Sequence, residues 1–215
     1  MRFVGLVALI GLFSHNALAG TAASTPTAPI KEADETKWSF STSTSTYIVP
    51  DFQEYVQPTF TADHDWLHIE TRYNYENLAT GSMWVGYNFS GGQKLEWEFT
   101  PMLGAVLGRT TGIAPGYKLS LAYWKLELSS EGELVFDSDG SEESFFYNWS
   151  ELSISPVEWF HIGLVGQRTR AYQTDVDIQR GLLMGVSYKE TNFTTYVFNL
   201  DEGKPTWVFA VGVSF

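Results

Sequence analysis

The sequence predicts an all-β fold, a closed antiparallel up-and-down transmembrane β-barrel of ten strands, with eight as the alternative count. Three observations predict it. The N-terminus has the grammar of an export signal, period-two alternation runs from Lys37 to the last residue, and several strand faces set large apolar side chains against small or polar ones. No segment of helical length carries a 3.6-residue apolar pattern. The longest apolar run, residues 4–13, is about ten residues, too short to cross a bilayer as a helix.

The N-terminal elements come first. Arg2 precedes the apolar run, and Ala17-Leu18-Ala19 closes it as an A-x-A cleavage site, so residues 1–19 read as a secretory signal peptide. No cysteine follows it, which excludes a lipid-anchored lipoprotein, and none occurs elsewhere, which excludes disulfides and thiolate metal sites. Residues 20–36 are small, polar and proline-containing and read as a flexible periplasmic leader. The barrel is expected to occupy residues 37–215.

Turn clusters of Gly, Pro, Asn, Asp and Ser place the strands at 37–49, 65–76, 81–90, 93–108, 116–128, 144–154, 158–172, 178–189, 192–200 and 205–215. In the first, Trp38, Phe40, Thr42, Thr44, Thr46 and Ile48 alternate with a mostly serine face. The phase slips near Trp124 and Glu151, where bulges or strands extending above the membrane are expected. An even count brings both termini to one side, and each segment has about the nine to eleven residues a tilted crossing needs. With the C-terminus periplasmic, 50–64 and 129–143 become long external loops and the turns on the other side stay short. Lipid cannot satisfy backbone polar groups, so such a sheet must close on itself. The aromatics Trp38, Trp66, Trp84, Trp97, Tyr117, Trp159 and Trp207 fall mostly near strand ends, where interfacial girdles would place them.

The last segment has the cleanest pattern. Trp207, Phe209, Val211, Val213 and Phe215 share one face, against Thr206, Val208, Ala210, Gly212 and Ser214 on the other. A chain that stops on Phe215 after such alternation resembles the C-terminal assembly signal of small bacterial outer-membrane β-barrels. The resemblance implies an outer-membrane location, with outer-membrane lipid, lipopolysaccharide and the barrel-assembly machinery as partners. With 25 Asp+Glu against 13 Lys+Arg, the chain lacks the positive surface that nucleic acid requires.

Candidate chemistry lies inside the barrel and at its rim. The strand at 65–76 turns Trp66, His68, Glu70, Arg72, Asn74 and Glu76 inward, and Glu96, Glu98 and Lys189 join them from other strands. A narrow lumen must pair such charges, so the expected result is an ionic network that plugs it. Asp63, His64 and Asp65 are expected at the external rim, with Asp175 and Asp177 in another external loop. A histidine among carboxylates can activate water. These residue types are similar to those of omptin-type surface proteases, ten-stranded barrels with acidic and histidine residues at the rim, although no omptin motif is present. Glu131, Glu133, Asp137, Asp139, Glu142 and Glu143 read as a solvated acidic loop. Asp137-Ser138-Asp139-Gly140 echoes the start of a calcium loop but lacks its later ligands. The glycine-dense segment from Thr100 to Tyr117 reads as structural.

These features lead to a structural or surface-interaction role on a charge-plugged scaffold. A porin-like pore for small solutes, a rim hydrolase and a soluble lipocalin-like binder are the alternatives. No cofactor and no metal site is implied.

Overall fold

The computed structural model describes residues 38–138, 144–171 and 177–215. The signal peptide, the leader and Asp175 lie outside the described residues. The chain forms strands β1 (Ser39–Ile48), β2 (Tyr55–His64), β3 (Leu67–Tyr73), β4 (Thr80–Tyr87), β5 (Phe89–Gly91), β6 (Leu95–Gly108), β7 (Gly112–Tyr123), β8 (Leu126–Asp137), β9 (Phe145–Val157), β10 (Phe160–Ala171), β11 (Asp177–Tyr188), β12 (Thr191–Phe198) and β13 (Thr206–Ser214).

Every pairing is antiparallel. β13 pairs with β1 through Val211 and Thr44, and β4 pairs with β6 through Trp84 and Gly104, so the sheet closes. β5 continues β4 along the same edge of β6: Gly86 faces Met102 and Phe89 faces Phe99, with no change of register. The ring therefore has twelve strands, not ten or eight. Both additional strands come from segments expected to be external loops. β2 occupies most of 50–64 and β8 runs through 129–137.

The physical reason is the same in both cases. A barrel strand needs an apolar face only toward lipid, and its inward face can be as polar as a turn. In β2, Val56 and Phe60 face out, while Tyr55, Gln57, Thr59 and Thr61 are buried inside. Pro58 is tolerated because β3 pairs with β2 only from Thr59 on, leaving that stretch bonded on one side. In β8, Ser129, Glu131, Glu133 and Val135 point inward. The expected slip at Trp124 is a tight turn between β7 and β8, with Trp124 in the left-handed region (φ 57°).

The two ends of the barrel differ. At the end where β1 begins and β13 finishes, the hairpin connections at 65–66, 124–125, 158–159 and 189–190 are two residues each and that at 92–94 is three. At the opposite end they run from three residues at 109–111 to six at 49–54 and 74–79 and more at 199–205. Short periplasmic turns and longer external loops put the termini on the periplasmic side. Exposed aromatics ring that end, including Trp38, Trp66, Tyr87, Trp97, Tyr123, Trp124, Trp159 and Tyr188. Trp84 does not belong to the girdle, because it is fully buried in the lumen.

The core is the barrel interior. Trp84, Trp149, Tyr147, Tyr196, Phe198 and Leu183 pack inside together with Tyr75 from the β3–β4 connection. The indole of Trp84 lies against Gly104 and Gly116, where an added Cβ would come within 2.5 and 2.9 Å of it. Those glycines are therefore required by close approach across neighbouring strands.

Candidate functional site: the charged lumen

β3 supplies the centre of the site. Its alternation turns Leu67, Ile69, Thr71 and Tyr73 outward and buries His68, Glu70 and Arg72. Arg72 bonds through Nε to Glu70 and through Nη1 to Glu133 on β8 at 3.0 Å. Its guanidinium also lies 4.1 Å from the Tyr75 ring centroid and 4.7 Å from that of Trp84. A delocalised cation with several donors suits this position, since it can satisfy two carboxylates and stack on rings.

Glu70 is the second node. It receives Arg72, the ammonium of Lys118 on β7, and His68 Nε2 at 3.3 Å. The other ring nitrogen of His68 lies 2.7 Å from Asp63, which also accepts from Asn88 Nδ2 at 2.8 Å. Asn88 in turn accepts from Thr100 at 2.7 Å. The chain of contacts thus runs from the periplasmic end toward the middle of the lumen.

The external half is closed by residues of the β3–β4 connection. Tyr75 folds inward, donates to Glu131 on β8 and meets Tyr147 edge-on at 5.9 Å. Glu76 is fully buried, and neither of its carboxylate oxygens has a hydrogen-bond partner among the described residues. The connection is held by Asn74, whose side chain donates to the carbonyl of Val56 (2.9 Å) and accepts from the amide of Ala79 (2.8 Å). Gln57 donates to the carbonyl of Asn74 at 2.7 Å.

Toward the periplasm the lumen opens into a vestibule of about 570 Å³, lined by Asp63, His68, Asn88, Glu98, Thr100 and Lys118 among others. The site can therefore admit a small polar molecule from one side, down to the Glu70–Arg72–Lys118 crossing.

Not every residue expected here is present. Glu98 lines the vestibule, while Glu96, of the same parity on β6, lies exposed nearer the rim. Lys189 does not reach the lumen. It sits in the β11–β12 turn with φ 53° and its ammonium 5.6 Å from the Tyr188 ring centroid, because the strand ends one residue before it. Asp63, His64 and Asp65 are at the periplasmic end, not the external rim, since the chain crosses the barrel once more between Ile48 and Asp63. Asp63 turns inward to His68, and His64 packs 4.9 Å from the Trp38 ring. Asp177 opens β11 at the opposite end, so these rim candidates do not assemble into one constellation.

Several lumen residues carry no local signal of their place. Glu131 and Glu133 stand in an expected acidic loop, yet both are buried in the barrel. Asp137 ends β8, and Asp139, Glu142 and Glu143 lie outside the described residues. Lys118 does carry a signal, because it alternates with the lipid-facing Tyr117 and Leu119. Trp207, Phe209, Val211 and Val213 take the outward face of β13 opposite buried Val208 and Ala210.

Comparison with solved structures identifies the architecture. The KdgM porin superposes with a TM-score of 0.58 at 10% sequence identity, covering 81% of this chain and 99% of that one. The KdgM porin in complex with disordered oligogalacturonate gives 0.55 at 11% identity, covering 82% and 99%. The chain has the closed antiparallel β-barrel fold of these porins. No protein-family model matches this barrel, and neither does any curated protein sequence. Its lipid-facing belt, with Leu107 at 66% and Ile113 at 60% exposure, accords with that fold and not with the soluble lipocalin-like alternative.

Proposed function

We propose that this barrel is a porin-like carrier of small solutes whose lumen is shut in the present conformation by its own β3–β4 connection. The observation that carries the reading is the Arg72 crossing. Inside a porin-type ring, one buried guanidinium ties β3 to β8, while Tyr75 from the connection stacks over it and bonds to Glu131. Movement of 74–79 toward the external side would open the space those side chains fill. The vestibule is the half of the path that is already open.

The charge inside bears on the solute class. Asp63, Glu70, Glu98, Glu131 and Glu133 outnumber Arg72 and Lys118. One of the neighbours binds oligogalacturonate, a polyanion. An acid-rich lumen repels a polyanion, so small neutral or cationic solutes fit this chain better.

A structural role on a plugged scaffold is the second reading, favoured by the packing of Trp84, Trp149 and Phe198 inside. Single-channel recording on the refolded barrel in a planar bilayer separates the two. Reproducible steps with cation preference in a salt gradient support the porin reading. A silent membrane with verified insertion, unchanged when Tyr75 is replaced by Ala, would overturn it.

A further inference from the structure

The outward face of the barrel carries a polar shelf where lipid contact is expected. We infer that this shelf, with Arg168 and Arg180 above it, is a binding site for a phosphorylated glycolipid of the outer leaflet.

The shelf spans three strands. β9 buries Phe145, Tyr147 and Trp149, so Asn148 and Ser150 face outward. Asn148 Nδ2 lies 2.9 Å from the Tyr117 hydroxyl and 3.1 Å from Ser130 Oγ. Ser130 and Ser150 are 3.0 Å apart, and Ser150 donates to Asn148 Oδ1 at 3.2 Å. Tyr117 reaches this group by lying over Gly132, where a Cβ would come within 2.7 Å of its ring. Hydroxyl and amide groups that face lipid are costly unless satisfied, and these are tied together and present a surface matched to sugar hydroxyls.

The arginines adjoin the shelf. On β10 and β11 the apolar belt ends at the pair Leu164–Leu182, and the next rows are Gly166–Arg180 and Arg168–Ile178. Both arginines are exposed on the outer face. They occupy diagonal positions, roughly 7–8 Å apart and somewhat less at Cβ, a spacing that lets two guanidinium forks hold one phosphate. Arg168 faces Asn148, and Gly166 faces Ser150, so basic and hydroxyl groups form one surface. No side chain at Gly166 covers it. The arginines lie toward the longer connections, hence in the outer-leaflet half of the barrel.

Charge decides between occupants. In a two-fold contact with a second copy, the same patch meets itself, which sets arginines against arginines. A phosphorylated glycolipid neutralises them and offers sugar hydroxyls to the shelf.

Native mass spectrometry of the folded chain in detergent tests the site, with bisphosphorylated lipid A, dephosphorylated lipid A and phosphatidylglycerol as probes. The expected result is one bisphosphorylated lipid A retained per chain, with retention of the other two weaker by about tenfold. The double variant R168Q/R180Q should lose the preference. Its fold is checked by heat-modifiable gel mobility, and if it does not fold, the three-lipid comparison on the unaltered chain decides. Equal retention of all three lipids, an unaltered preference in the folded variant, or pairing of chains through this face would overturn the inference.

Discussion

Arg72 and Glu133 stand 61 residues apart in the chain, and their side chains meet inside the barrel at 3.0 Å. Neither is at the surface, and each holds a position the other needs. The guanidinium is shared with Glu70 and stacked on two rings. The carboxylate keeps one oxygen, Oε1, without a partner among the described residues. This pairing and its surroundings have measurable consequences.

Arg72→Met removes the central cation and leaves Glu70 and Glu133 buried around its place. Breaking one side of a buried ion pair costs about 3–5 kcal/mol. Urea unfolding in a lipid–detergent mixture should show a lower midpoint. Arg72→Lys should recover only part of the loss, because an ammonium cannot bond both carboxylates in the same plane while stacking on Tyr75 and Trp84.

Tyr75→Ala should free the β3–β4 connection from the lumen. The link to Glu131 and the edge contact with Tyr147 both disappear. Planar-bilayer recordings should show more frequent or larger current steps than the parent gives. Tyr75→Phe, which loses the hydroxyl but keeps the ring packing, should lie between the two.

Rising pH should favour the same release. Burial pushes the Glu76 carboxyl above the ordinary carboxylate range, with Arg72 pulling the other way. The in-folded connection therefore holds the proton more tightly than the released one. Its stabilisation is present at low pH and is lost as pH rises through the raised value. Step frequency should climb with pH above the usual carboxylate range, and Glu76→Gln should flatten that rise. A parent and a variant with the same pH profile would show that Glu76 plays no part in the release.

Gly104→Ala should destabilise the barrel although it adds one methyl. The new Cβ would come within 2.5 Å of the Trp84 indole, which is also bounded by Gly116. Overpacking of this kind costs about 1–3 kcal/mol. The same urea titration reads it, and pairing Gly104→Ala with Trp84→Leu should restore most of the loss.

Much of the fold was legible from local patterns. The outward faces of β1 and β13 stood in plain alternation, and the inward set of His68, Glu70 and Arg72 came from parity on β3 alone. β2 and β8 were not legible. Pro58 and the Ser-Ser-Glu-Gly-Glu run carry the composition of loops, and only their place in the ring makes a polar inward face into a strand. Missing β2 moved Asp63, His64 and Asp65 to the wrong end, because an uncounted crossing exchanges the two sides of the membrane for the residues at its far end.

From the sequence by itself come the β-barrel class, the lipid-facing alternation, the form of the terminal strand and the buried charges of β3. These are period-two properties, written within about ten residues. The count of twelve strands, the end at which each turn lies, the partners of Arg72 and the inward fold of Tyr75 and Glu76 were decided by the tertiary structure. They depend on closing the sheet and on which side chains then face one another across the lumen. Such contacts join residues dozens of positions apart, and no local pattern records them.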